Sequence, residues 1–213
     1  MVADPAQAPV RQAQRHGNAV RQRLARSVLR AAGWRIEGEV PDEPKLVVVG
    51  APHTSYYDFV LAKLTSAAVG ARFSWVGKRS LFPRPIAPLV RWLGGIPVNR
   101  EAPEGFVAAM VDEFRRRDHF YLALMPEGGL HHRTRWRTGF YYIASEAEVP
   151  ILLIAFDWGQ RTMRIGPVFR ARDDIGADEA VERLKAHFEG VHGRRRLPSR
   201  VGTPAAETGD RGE

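Results

Sequence analysis

The chain contains no cysteine, which excludes a disulfide framework, a thiolate metal site and an acyl-cysteine intermediate. It also lacks a long apolar run. The longest, "VPILLIAF" at Val149–Phe156, is far shorter than the roughly 20 residues that a membrane-spanning helix needs. No basic segment followed by an apolar stretch stands at the start, so no standard export signal is expected. There is no G-x-S-x-G, the nucleophile turn of many serine hydrolases, and no H-E-x-x-H. His131-His132 is the one histidine pair, but zinc requires three or four protein ligands and no third is apparent, so no metal is expected. Acids are also missing from Arg11–Arg35, which holds seven arginines and no aspartate or glutamate.

What is present is an ordinary globular composition, 44% hydrophobic and 26% charged over 213 residues. That length suits one sizeable core. The net charge of +8 calls for an anionic counterpart: nucleic acid, anionic lipid, a phosphorylated small molecule or an acidic carrier protein. Residues 1–10 are rich in alanine and proline and read as a loose tail, and residues 194–213 offer few anchors for a core and read as a disordered one. Within 11–35, Val20, Leu24, Val28 and Ala31 recur at helical spacing, with Ala25, Leu29 and Ala32 beside them. That makes a basic amphipathic helix, whose apolar stripe either enters a lipid headgroup layer or packs on the core.

Residues 36–193 alternate between short apolar strands and helices. Strands are expected at 45–50, 73–76, 96–98, 120–125, 150–156 and 162–169, and helices at about 57–70, 85–93, 104–117, 138–147 and 177–189. This interleaving predicts a single α/β domain with a central, mostly parallel sheet flanked by helices. Active sites in such folds gather beyond the carboxyl ends of the strands.

Three segments put polar chemistry at such ends. In "HTSYYD", His53 and Asp58 are five residues apart; in one regular helix they would lie roughly 140° apart and could not meet. They can meet if His53 sits in the loop after the strand, a break that Pro52 favours, and Asp58 in the first helical turn. A histidine oriented by a carboxylate suits a general base. The same residues also fit a helix start, with Ser55 as N-cap and Asp58 as a first-turn acid. In "GGIPVNR", Arg100 follows a short strand and can grip a phosphate through two parallel bonds, although a lone loop arginine is commonly just solvated. In "MPEGG", Glu127 and Gly128 follow a strand and precede Arg133, Arg135 and Arg137, either a polar turn or an anion-binding surface.

In this order the segments resemble the sequence blocks of the glycerophospholipid acyltransferase family, the lysophosphatidic acid and glycerol-3-phosphate acyltransferases. "HTSYYD" is similar to its H-x4-D block, "GGIPVNR" to the block ending in arginine, "MPEGG" to F-P-E-G-T-R, and "VPILLI" to the fourth block. The resemblance covers about residues 45–170. It implies acyl transfer from acyl-CoA or acyl carrier protein, as co-substrate and without a cofactor, to a hydroxyl of a lysophospholipid or glycerol-phosphate-like acceptor. By it, His53 is the base, Asp58 its partner, and Arg100 with the Glu127-Gly128 turn the acceptor site. Gly129-Leu130 stands where the family has Thr-Arg, so either Arg133 replaces that arginine or the acceptor is not a simple glycerophosphate; for the acceptor's anionic group Arg100 is the first choice, with Arg133 and then Arg137 behind it. Backbone N–H groups following His53 are expected to face the oxyanion. A cytoplasmic protein held peripherally at the inner membrane face is the matching location. Two alternatives use the same residues differently: a thioesterase, in which His53 activates water, and a basic nucleic-acid-binding module, which needs neither His53 nor Asp58 and for which no motif is found.

Overall fold

The structure, a computed structural model, describes residues 18–98, 105–130, 135–171 and 175–194. The central strands are β2 (Lys45–Ala51), β5 (Phe120–Leu124) and β6 (Ile151–Asp157). β2 and β6 are almost wholly apolar because helices cover both of their faces, the condition under which a strand loses its alternation. With β1 (Arg35–Glu37), β3 (Phe73–Lys78), β4 (Gly95–Val98) and β7 (Thr162–Phe169) they form one sheet, in the order β1-β7-β6-β2-β5-β3-β4. Only the β6–β7 pair is antiparallel. The expected α/β architecture is what folds.

The helices are α1 (Ala19–Ala31), α2 (Tyr57–Val69), α3 (Ala87–Trp92), α4 (Phe106–Arg116), α5 (Gly139–Glu146) and α6 (Ala177–Lys185). One face of the sheet, through Val47, Val49 and Ala51, packs with Met110, Phe114, Phe140 and Leu184 of α4, α5 and α6. The other, through Leu46, Val48 and Ile154, packs with Ala25, Leu29, Leu61 and Ala68 of α1 and α2.

Three details differ from what the sequence pattern predicts. β1 was not anticipated: Arg-Ile-Glu is too short and polar to register, and it exists because β7 offers it an edge, with Arg35 opposite Thr162, so the basic helix expected over 11–35 ends at Ala31, and its residues 11–17 lie outside the described residues. α6 tightens into a 3-10 turn at Ala186–Phe188 instead of running on as α-helix to 189. The apolar stripe of α1, which starts at Asn18 with its side chain capping Val20 N–H at 2.9 Å, divides between core and solvent. Ala25 and Leu29 are buried, whereas Val20, Leu24 and Val28 face solvent, Leu24 with 64% of its surface exposed.

Candidate active site

β2 lies between β5 and β6, so the residues that follow these three strands meet at one end of the sheet. After β2 comes His53, in the loop, and then Asp58 in the first turn of α2. This is the arrangement the spacing required: His53 is outside the screw and Asp58 inside it. His53 Nδ1 stands 3.2 Å from Asp58 Oδ2. The same oxygen accepts Thr54 N–H and Ser55 N–H, each at 2.9 Å. Asp58 therefore caps and orients at once, and the two readings of this residue describe a single geometry. Ser55 also contributes to the helix start, its Oγ accepting Tyr57 N–H at 3.2 Å.

Asp58 is fully buried, at 0% exposure, while 18% of the His53 side chain remains open to solvent. The backbone and indole groups around the carboxylate all donate, so it acts as an acceptor throughout. The Nδ1 of His53 facing it then carries the proton, which leaves Nε2 with the lone pair. An imidazole held this way can take a proton from a hydroxyl lying within hydrogen-bond reach of Nε2.

Glu127 follows β5 and is buried, and its Oε2 accepts His53 N–H at 2.8 Å. Its carboxylate thus secures the loop carrying the histidine. Gly128 and Gly129 line the adjoining cavity, as does His53. Gly128 has φ +72°, and a Cβ there would fall 2.8 Å from Arg137 Nε, so glycine both permits the turn and lets the guanidinium lie against it. Arg137 N–H donates to Pro126 O at 2.9 Å, and its side chain lines the cavity beside Arg135. Arg100, Arg133 and His131-His132 lie outside the described residues. Among the described residues, no group of three potential metal ligands comes together.

The cavity has a volume of about 1630 Å³. From His53 it reaches apolar side chains on the α2 side of the sheet, including Val48, Phe59, Ala123, Ile154 and Phe156. Gly50 is among its lining residues, and a Cβ there would come 2.8 Å from Phe156 and 2.9 Å from Met125 Sδ, so side chains close in on the strand just below the histidine. Lys63 lines it too, with Nζ donating to Phe73 O at 3.0 Å. Burial, with a smaller contribution from the Arg21 charge, pushes this amine down to about 8.

The expectation that N–H groups after His53 face an oxyanion needs correction. Those of Thr54 and Ser55 are occupied by Asp58, and that of Tyr57 by Ser55. Two neighbours of the pair are not evident from sequence. Trp158, just after β6, donates its indole Nε1–H to Asp58 Oδ1 at 2.7 Å. Arg194, expected to belong to the tail, lies with its guanidinium carbon 3.7 Å from the centre of the Tyr57 ring. A tryptophan immediately beyond a buried strand is the one signal that could have pointed to either.

A mostly parallel sheet thus places a His–Asp pair at the end of one strand and a glutamate-glycine turn at the end of its neighbour, beside a largely apolar cavity. A family model described as Acyltransferase matches residues 34–157, more than half of the 213-residue chain. The chain belongs to the acyltransferase family. No curated protein matches it.

Proposed function

We propose that the protein transfers a fatty acyl group from an acyl thioester, acyl-CoA or acyl carrier protein, to a hydroxyl of a lysophospholipid or glycerol-phosphate-like acceptor. The observation that carries this reading is His53 itself: it lines the apolar cavity while its Nδ1 is turned to the buried Asp58. His53 Nε2 takes the acceptor's hydroxyl proton as the oxygen attacks the thioester carbonyl. The tetrahedral intermediate collapses, the carbon–sulfur bond breaks, and the proton passes from the imidazolium to the departing thiolate. Ester and free thiol result, with no acyl-enzyme.

The apolar arm of the cavity takes the acyl chain, each buried methylene contributing about 0.8 kcal/mol. The acceptor's anionic group is held by Arg137 and by Arg100 and Arg133. Arg137 is the best supported of these, since it packs on Gly128 in the turn where the family's own arginine is replaced.

A peripheral position on anionic lipid fits two apolar surfaces. Val20, Leu24 and Val28 are exposed on α1 among arginines, and Leu89 and Trp92 are exposed on α3, Trp92 with 79% of its surface open. The segment from Phe59 to Arg100 contains no acid, and Lys78, Arg79, Arg84 and Arg91 flank or belong to α3 in the chain. Among the described residues no helix is long and apolar enough to cross a membrane.

The test is a panel of acceptors with one labelled acyl thioester, read by product mass and by thiol release. Acceptor-dependent thiol release with a matching ester is expected. Thiol release at the same rate without any acceptor would instead identify a thioesterase.

A further inference from the structure

We propose that Trp158 is a positioning residue of the acyl-transfer site, acting through Asp58. The inference rests on the reading of His53 as base and adds to it a third side chain. Asp58 Oδ2 is shared among His53, Thr54 and Ser55, all in the same short turn. A carboxylate held by one oxygen can still pivot about it. Its other oxygen, Oδ1, is held by Trp158 Nε1–H at 2.7 Å, from beyond a different strand. Indole N–H is a donor only, so the direction of this bond is fixed. The plane of the carboxylate, and with it the angle at which Oδ2 meets His53 Nδ1, is thereby set from outside the turn.

Trp158 is itself anchored on several sides. Its backbone N–H donates to His192 O at 2.8 Å. Its ring meets the buried Trp34 edge-on, with centroids 4.9 Å apart. The Arg194 guanidinium lies 5.2 Å from it while resting on Tyr57, and reaches Ser55 Oγ at 3.5 Å. Gly193 passes so close to Thr54 that a Cβ there would fall 2.5 Å from Thr54 Cγ2. A tryptophan serving packing alone would not need its one polar side-chain atom aimed at the carboxylate beside the histidine.

The test is a double-mutant cycle between Trp158→Phe, which keeps a ring and removes the N–H, and Asp58→Ala, both in the full chain and checked for folding by circular dichroism. A hydrogen bond to a charged group has the strength to change a rate by about tenfold to a hundredfold. Trp158→Phe is expected to lower kcat by about that range with the KM for the thioester nearly unchanged, and to have no further effect once Asp58 is alanine. An unchanged kcat, or an equal loss with and without Asp58, overturns the proposal. If Asp58→Ala and His53→Ala alone leave kcat intact, the underlying reading fails instead, and the proposal with it. Should Trp158→Phe not fold, the indole N–H resonance of Trp158 in the wild-type protein decides: slow solvent exchange is expected, and exchange at the rate of a surface indole overturns the assignment.

Discussion

Two aspartates of this protein, Asp58 and Asp157, are both fully buried, yet the fold accommodates their charges in different ways. Asp157 forms an ion pair with Arg164 and accepts Gln160 N–H at 3.0 Å. Its charge is met by another full charge and joins β6 to β7. Asp58, among the described residues, has no arginine or lysine in ion-pair contact. It is held by backbone and indole N–H groups, and the partner left to respond to it is His53. Dipoles satisfy a carboxylate without cancelling it, which is what the proposed mechanism asks of the residue facing His53. Burial alone therefore does not distinguish a structural acid from a candidate catalytic one; the kind of donor does.

The largest effect that sharpens this contrast is expected at Asp58. Asp58→Asn should lower kcat by about 10²-fold or more in protein that remains folded, measured as steady-state thiol release. Asp157→Asn should do the reverse. It removes one partner of a pair whose arginine is partly exposed, so we expect a loss of about 2 kcal/mol in denaturant unfolding with kcat in the same order of magnitude. If both variants lost activity equally, the distinction between the two carboxylates would not hold.

Charges that the fold leaves exposed extend the contrast. Arg137 packs on Gly128 and is solvent-exposed, so Arg137→Ala should raise the acceptor KM by about tenfold while leaving that of the thioester nearly constant. Equal rises in both would remove Arg137 from the acceptor site.

Lys63, half-buried, shows a third way of handling a charge, a shift toward neutrality, its amine being pushed down from 10.5 to about 8. Because the folded state holds this proton less tightly than the unfolded chain, the contribution of Lys63 to stability is fully present above about pH 10.5 and is lost as pH falls toward 8. The wild type should therefore gain on Lys63→Met as pH rises across that window, in paired thermal unfolding curves. A difference that stays flat with pH would contradict the shift.

Much of this organisation was legible in the chain. β2 and β6 announce themselves as apolar runs because both of their faces are covered, and α4 through its helical periodicity. Helix angles and Pro52 set the one condition under which His53 and Asp58 can meet, the histidine in the loop and the aspartate in the first turn, without deciding that they do. What stayed hidden depends on contacts between distant residues. Trp158 reaches Asp58 across 100 positions and Arg194 reaches Ser55 across 139, and no local pattern encodes either meeting. The bond from Ser55 N–H to Asp58 is the one the helix-start pattern implies, whereas that from Thr54 N–H was not legible, since it depends on which way the carboxylate turns. β1 escaped because its existence depends on the edge that β7 presents.

In the proposed mechanism His53 Nε2 removes the proton of the acceptor hydroxyl. Its most direct test is the acyl-transfer rate of His53→Ala with saturating thioester and acceptor, in protein whose unfolding curve matches the wild type. A fall of about 10²–10⁴-fold in kcat is expected. A rate close to that of the wild type would contradict it.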